Sequence, residues 1–174
     1  MPATRAAERD HVDRFLDSIT PVLPELDLTV EGIVDRITGL SRRLHRMLDE
    51  TLAVYELSHG EWKVLAHLLR SGPPYRRSPG ELAERIELSS GAMTNRLDRL
   101  EEAGLVRRLR DPSDRRGVQV ELTEAGHEVY ERSVATQAAK EALIASALNE
   151  REKTQLNNLL RRLMLAAERQ EGGS

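Results

Sequence analysis

The stretch Leu88–Leu122, LSSGAMTNRLDRLEEAGLVRRLRDPSDRRGVQVEL, decides the fold of this chain. Its first half predicts a helix, because Met93, Leu97 and Leu100 recur at helical spacing after a pair of serines that can cap the helix. Gly104 follows as a left-handed C-terminal cap. We therefore expect a short amphipathic helix with a polar outer face.

The second half of the stretch predicts a β-hairpin. Leu105 to Leu109 and Val118 to Leu122 are short β candidates, joined by a loop rich in Asp, Pro and Gly. Between Ala103 and Gly117 there are five arginines and two aspartates, a local charge of +3. A helix can enter the major groove of DNA while an arginine on an adjacent loop reaches the minor groove. The stretch therefore predicts sequence-specific binding to duplex DNA.

Composition predicts a mostly helical globular protein. The chain has 174 residues, of which 39% are hydrophobic, 32% charged and only 3% aromatic. It has no cysteine, which excludes disulfides and thiolate zinc sites. The net charge of −3 argues mildly against nucleic-acid binding, but the basic residues are concentrated in the hairpin. The sequence shows neither a signal-peptide pattern nor an apolar run long enough to cross a membrane, so we expect a cytoplasmic protein.

The pattern along the chain predicts four segments. Residues 1–28 form an extension with one short helix and a linker, and residues 29–56 form a long helix, capped by Thr29, with an apolar stripe. Residues 57–122 hold short capped helices, the predicted recognition helix and the hairpin, and residues 123–170 form two further helices. The capping boxes Ser58–Glu61 and Ser78–Glu81 open the two short helices.

Three motifs in this order resemble the MarR family of winged helix-turn-helix regulators. They are Ala103–Val106, the wing motif Asp111–Val118, and Leu122–Gly126, which reads LTEAG. The similarity spans roughly residues 30–168. It implies a mostly α fold with a small β-hairpin wing, flanked by N- and C-terminal dimerisation helices, and a homodimer, by default a repressor, on a pseudo-palindromic operator. The long apolar stripes agree, because they exceed what a small winged domain can cover.

The candidate DNA-binding residues fall into three groups. On the recognition helix they are Ser89, Ser90, Ala92, Thr94, Asn95, Arg96 and Arg99. On the wing they are Arg107, Arg110, Asp114, Arg115 and Arg116, and the resemblance implies that Asp114 orients Arg116 for the minor groove. Phosphate contacts are expected from Arg76, Arg77 and Ser78 on a loop. Asparagine can read adenine and arginine guanine. Some of these arginines could instead be solvated or paired on the helix surface, as Arg99 could be with Glu102.

A narrower similarity points to the urate-responsive branch of the family. It is carried by PELD at 24–27, GEWKVL at 60–65, GPPY at 72–75 and LSSGAMTNR at 88–96. The resemblance implies that a tryptophan, an aspartate and an arginine hold the ligand in that branch, at positions that carry Ile19, Lys63 and Arg70 here. With Trp62, these residues are the candidate effector pocket, for an anionic or aromatic small molecule other than urate. The alternative is a structural ion pair and a core indole.

Other functions have weaker support in the sequence. The five histidines are scattered, and no two are four residues apart, so we expect no metal and no cofactor. The sequence has no P-loop, His-Glu-x-x-His or Gly-x-Ser-x-Gly pattern, so we expect no enzyme. Two alternatives stay open: a protein-interaction module on a winged-helix scaffold without DNA readout, and a metal-responsive regulator.

Overall fold

The computed structural model describes residues 8–110 and 117–172, which form seven helices and three strands. The chain divides into two compact units, Met1–Asp49 and Glu50–Ser174. Within the described residues no helix is both long and apolar enough to span a membrane.

The N-terminal unit contains helix α1, His11–Ile19, and most of helix α2, Leu28–Val54. Asp10 and Asp13 form a capping box at the start of α1, and both carboxylates also accept hydrogen bonds from Arg36 of α2. These bonds hold the pKa of Asp10 at about 2, the backbone N–H of Asp13 being the largest cause and the Arg36 guanidinium the next. Val12 is buried in this unit. The predicted short helix is therefore present, tied to the long helix by ion pairs.

The predicted N-cap of the long helix, Thr29, was wrong by two residues. α2 begins at Leu28, and the side chain of Asp27 accepts hydrogen bonds from the N–H groups of Thr29 and Val30 at 2.9 and 3.2 Å. An aspartate two residues before Thr29 therefore satisfies the exposed N–H groups, and Thr29 lies inside the helix.

The C-terminal unit is built from the remaining elements. They are α3 His59–Leu69, β1 Arg76–Arg77, α4 Pro79–Ile86, α5 Ser90–Glu102, β2 Val106–Arg110, β3 Val118–Leu122, α6 Glu124–Ala145 and α7 Glu150–Glu171. The strands form an antiparallel sheet in the order β1-β3-β2. Both predicted capping boxes are present, with the hydroxyls of Ser58 and Ser78 accepting from the N–H groups of Glu61 and Glu81. The residues at 76–77, expected in a loop, instead form a short strand against β3.

Aliphatic side chains from three helices and the sheet form the core of this unit. The fully buried members are Val64, Leu65, Leu68, Leu82, Met93, Leu97, Leu100, Val106 and Val120. Met93, Leu97 and Leu100 lie on one face of α5, as their spacing predicts. The opposite face of α5 is therefore free to present polar groups.

The LTEAG motif connects the hairpin to α6 and attaches the start of α6 to the end of α5. The Thr123 hydroxyl donates to the carbonyl of Gly104 at 2.8 Å and accepts from the Gly126 N–H at 3.0 Å. A Cβ on Gly126 would lie 2.1 Å from the Leu105 carbonyl oxygen, closer than van der Waals contact allows. Gly104 has a φ of 70°, the left-handed conformation predicted for the end of α5.

Candidate DNA-binding surface and ligand pocket

The exposed face of α5 presents polar groups. Ser90, Asn95 and Arg99 are exposed, while Ala92 is half-buried. Arg99 Nη1 lies 3.8 Å from Glu61 Oε1 with 77% of the arginine side chain exposed, so this ion pair restrains Arg99 only weakly. The serine and threonine candidates are already engaged in part: Ser89 caps α5 through the Ala92 N–H, and Thr94 donates to the Ser90 carbonyl.

Arg96 lies differently from the other candidates on α5. It is half-buried against α3, where a Cβ on Gly60 would lie 2.2 Å from its Nε. Its Nη1 donates to the Ala92 carbonyl at 3.1 Å, and its buried Nε has no hydrogen-bond partner among the described residues. To contact a base, the guanidinium would have to move away from Gly60. Its base-reading role stays a prediction.

Glu121, on the central strand, is paired with one arginine from each of the two neighbouring strands. Arg76 and Arg107 are its register partners in β1 and β2, and each forms an ion pair with the Glu121 carboxylate. The glutamate side chain is 9% exposed, against 39% for Arg76 and 61% for Arg107. Burial raises the pKa of Glu121, but the hydrogen bonds from Arg107 and Arg76 outweigh it, so the net pKa lies below its ordinary value. One carboxylate therefore links all three strands.

Arg108 points to the recognition helix instead of solvent. Its Nη1 lies 2.5 Å from Glu101 Oε2 and its Nη2 lies 2.6 Å from Asp98 Oδ1. Its backbone N–H also donates to Glu101, at 2.8 Å. Arg110, at the end of β2, is exposed. The two arginines thus have different surroundings although they share a strand.

The remaining predicted DNA-binding residues divide between two places. Asp114, Arg115 and Arg116 lie outside the described residues. Ser78 is the N-cap of α4, where its hydroxyl and its backbone N–H both bond to the Glu81 carboxylate. Arg77, the last residue of β1, immediately precedes Ser78 and is half-buried.

A cationic pocket of about 330 Å³ lies between α3, α4 and α6. Trp62, Lys63, Ala66, His67, Arg70, Arg85, Ile86, Glu87 and Tyr130 line it. It contains three of the four predicted pocket residues. The fourth, Ile19, ends α1 in the N-terminal unit, while this pocket is formed by the C-terminal unit.

Aromatic rings form one wall of the pocket. Trp62 stacks on Tyr130 with ring centroids 5.4 Å apart, and its indole N–H donates to the buried Ser133 hydroxyl at 2.9 Å. The pKa of His67 lies below its ordinary value, first because the ring is partly buried and then because Arg70, Arg85 and Lys63 repel a further positive charge. The pocket therefore combines flat apolar surface with an excess of positive charge, because Lys63, Arg70 and Arg85 outnumber the one acid in its lining, Glu87. This combination suits an anion that carries a ring.

Several of these groups have no direct signal in the sequence. Arg85 and Tyr130 reach the pocket from α4 and α6, so their place in it depends on how these helices pack against α3. Glu121 was recoverable in principle, because hairpin pairing places it opposite Arg107. Among residues 8–110 and 117–172 no three His, Asp or Glu side chains are grouped as metal ligands.

A helix with an exposed polar face, packed on two short helices and followed by a β-hairpin, defines the winged helix-turn-helix class of DNA-binding proteins. The MarR family model matches residues 57–118. The chain is 36% identical over 140 residues to the HTH-type transcriptional regulator PecS of Dickeya dadantii (strain 3937), covering 80% of this chain and 84% of PecS. It is 30% identical to the HTH-type transcriptional repressor MdtR of Bacillus subtilis (strain 168), covering 83% and 92%.

The fold is also similar to a solved DNA complex. A crystal structure of a mutant MarR from E. coli complexed with operator DNA superposes with a TM-score of 0.58 and 26% identity, covering 83% of this chain and 96% of that one. This chain belongs to the MarR family of transcriptional regulators, which bind operator DNA and are not enzymes. The predicted family and fold class are confirmed.

Proposed function

We propose that this chain is a homodimeric transcriptional repressor that binds a pseudo-palindromic operator. In this proposal α5 enters the major groove with Ser90, Asn95 and Arg99 facing the bases, and Arg116 of the wing enters the minor groove. The observation that carries it is the exposed polar face of α5 on a fold similar to an operator-bound MarR. The similarity to the repressor MdtR favours repression.

Apolar rows on two long helices support the homodimer. On α2 the exposed members are Val30, Ile33, Val34, Ile37, Leu40 and Leu44, and on α7 they are Leu156, Leu159, Leu160, Leu163 and Met164. Contiguous apolar surface of this kind marks a protein interface. We assign residues 29–56 and 123–170 to dimerisation, residues 57–122 to DNA binding, and residues 1–28 to an extension.

Selection from a randomised duplex library tests the DNA-binding proposal. We expect enrichment of an inverted repeat whose half-sites are about 10 base pairs apart or a multiple of this, bound by two chains. Affinity should fall steeply between about 50 and 200 mM salt, because phosphate contacts release counterions. A protein-interaction module would enrich no sequence and show no salt dependence.

The cationic pocket supports a second element of the proposal, release from DNA by a small anion with an aromatic ring. Lys63, Arg70 and Arg85 would pair with the anionic group, and Trp62 and Tyr130 would contact the ring. By the resemblance described above, the position that carries an aspartate in the urate-responsive branch carries Lys63 here. We therefore expect a preference for a more acidic ligand than urate.

Thermal unfolding with a panel of aromatic carboxylates and phosphates, with urate included, tests this pocket. A ligand that binds only the folded protein raises the melting temperature in a concentration-dependent way. We expect the most acidic ring compounds to stabilise the protein and to release the selected duplex, and Arg70→Gln to abolish both effects. Arg14→Gln is the matched control, because Arg14 is an exposed arginine of α1 outside this pocket.

A further inference from the structure

Arg108 carries one positive charge and pairs with two carboxylates. Its guanidinium contacts Asp98 at 2.6 Å and Glu101 at 2.5 Å, and its side chain is 28% exposed. Two carboxylates around one guanidinium leave a local net charge of −1. Such a group would repel a DNA phosphate, so a phosphate contact does not explain why this arginine lies beside the recognition helix.

The contacts of Arg108 instead connect two elements that would each enter a groove. Asp98 and Glu101 are three residues apart and therefore lie on the same face of α5, near its C-terminal end. Arg108 is the middle residue of β2 and pairs with Val120 of β3. The Glu101 carboxylate also accepts the Arg108 backbone N–H, so both backbone and side chain of the strand are attached to the helix.

The hairpin needs such an attachment. Beyond the short β1, which reaches only Val120 and Glu121, the wing is a two-stranded ribbon, and an isolated ribbon of this kind is marginally stable in water. A hinge at its base would let its tip move relative to α5. Each extra orientation would lower the effective concentration of the wing arginines at the minor groove.

We propose that Arg108 is a positioning residue that fixes the wing to the recognition helix through Asp98 and Glu101, so that both bind DNA as one rigid unit. This proposal rests on the DNA-binding function proposed above. It gives Asp98 and Glu101, two of the three acidic residues of α5, a role that their charge alone would oppose, because acids near phosphate weaken binding.

The variant Asp98→Asn/Glu101→Gln changes both the charge of α5 and the attachment of Arg108. These two changes should shift DNA affinity in opposite directions. Removing two negative charges favours DNA binding by simple electrostatics, whereas loss of the brace weakens it. Glutamine at 101 keeps an oxygen that can accept the Arg108 N–H. Glu102→Gln is the matched control, because Glu102 is exposed on the same helix.

Affinity is measured for the duplex selected by the wild-type protein and for a random duplex of equal length. We expect the double variant to bind the selected duplex roughly 5- to 20-fold more weakly, within the range of interaction energies between contacting residues. Binding to the random duplex should be unchanged or tighter, and Glu102→Gln should weaken neither. Circular dichroism and the melting temperature check folding, and Asp98→Asn alone serves if the double variant unfolds.

A second measurement tests whether the contribution of Arg116 to DNA affinity depends on Asp98 and Glu101. Arg116→Ala should cost at least threefold less affinity in the double variant than in the wild type, because a wing that is not fixed contributes less. Unchanged or tighter binding of the selected duplex by the folded brace variant, or an equal cost of Arg116→Ala in both backgrounds, would overturn the proposal. A wild-type protein that selects no duplex would instead overturn the DNA-binding function itself.

Discussion

Apolar side chains are buried in the winged region but exposed on helix α7. In the winged region Leu65, Leu82 and Leu97 are at most 1% exposed, whereas α7 has no buried residue and Leu160 is 41% exposed. Both sequences are amphipathic at helical spacing. The difference teaches that one region completes its core within the chain, while the other leaves the same pattern exposed, on the surface that a second chain would cover in the proposed dimer.

The largest expected effect comes from placing a charge in the apolar row of α7. Leu160→Asp should weaken the proposed dimer at least 100-fold, about 3 kcal/mol, because a carboxylate would be buried without a partner. Sedimentation or light scattering measures the shift to monomer, and DNA affinity should fall with it. Asn158→Glu, on the opposite face of α7, is the control and should leave the dimer intact. An unaffected dimer for Leu160→Asp would show that α7 is not the interface.

A change in the wing should have the next largest effect, without touching the dimer. Arg116→Ala should cost roughly 1–3 kcal/mol of DNA affinity if the side chain enters a groove. The protein should remain dimeric with an unchanged melting temperature. Fluorescence anisotropy with the selected duplex measures the loss, and wild-type affinity would contradict the proposed role of Arg116.

Glu121→Gln tests how much one buried carboxylate contributes to the stability of the winged region. The carboxylate accepts from Arg76 with one oxygen and from Arg107 with the other, whereas an amide keeps one accepting oxygen and replaces the second with an NH2 group that only donates. One of the two arginines therefore loses its acceptor. We expect the free energy of unfolding to fall by about 1 kcal/mol, a modest loss because both arginines are more than a third exposed. Urea unfolding measures it. The exposed Glu128→Gln, on α6, should change stability by less than about 0.5 kcal/mol.

The smallest effect concerns the pH dependence of stability. The pKa of His67 is lower in the folded chain than its ordinary value of about 6.5, so the unfolded chain binds the proton more readily. The contribution of His67 to stability is therefore fully present above that ordinary value and is lost as the pH falls below it towards the lower pKa of the folded chain. His67→Asn should flatten the pH dependence of unfolding in this window.

Local hydrogen bonding explains why so much of the fold could be predicted from the sequence. Ser58 and Ser78 each precede a glutamate by three residues, and both capping boxes form, because every bond involved lies within four residues. Strand β1 was missed for the opposite reason. It has two residues, and its pairing with Glu121 depends on a partner 45 positions away.

The candidate site was less predictable than the fold, because its properties depend on partners from other elements. Sequence alone placed Arg107, Arg108 and Arg110 in one basic strand, but only the packing of β2 on α5 shows that Arg108 is neutralised while Arg110 is exposed. Arg96 was expected to face outward with Asn95, yet it packs on Gly60. A face assigned by helical spacing does not determine where a long side chain ends.

Trp62 gives the protein a built-in optical reporter. It is the one tryptophan in the sequence, it lines the cationic pocket, and its ring stacks on Tyr130 while its N–H is held by Ser133. Its emission therefore comes from a single, geometrically defined environment. Occupancy of the pocket can be followed on the unlabelled protein, in real time and on the same sample that holds the DNA.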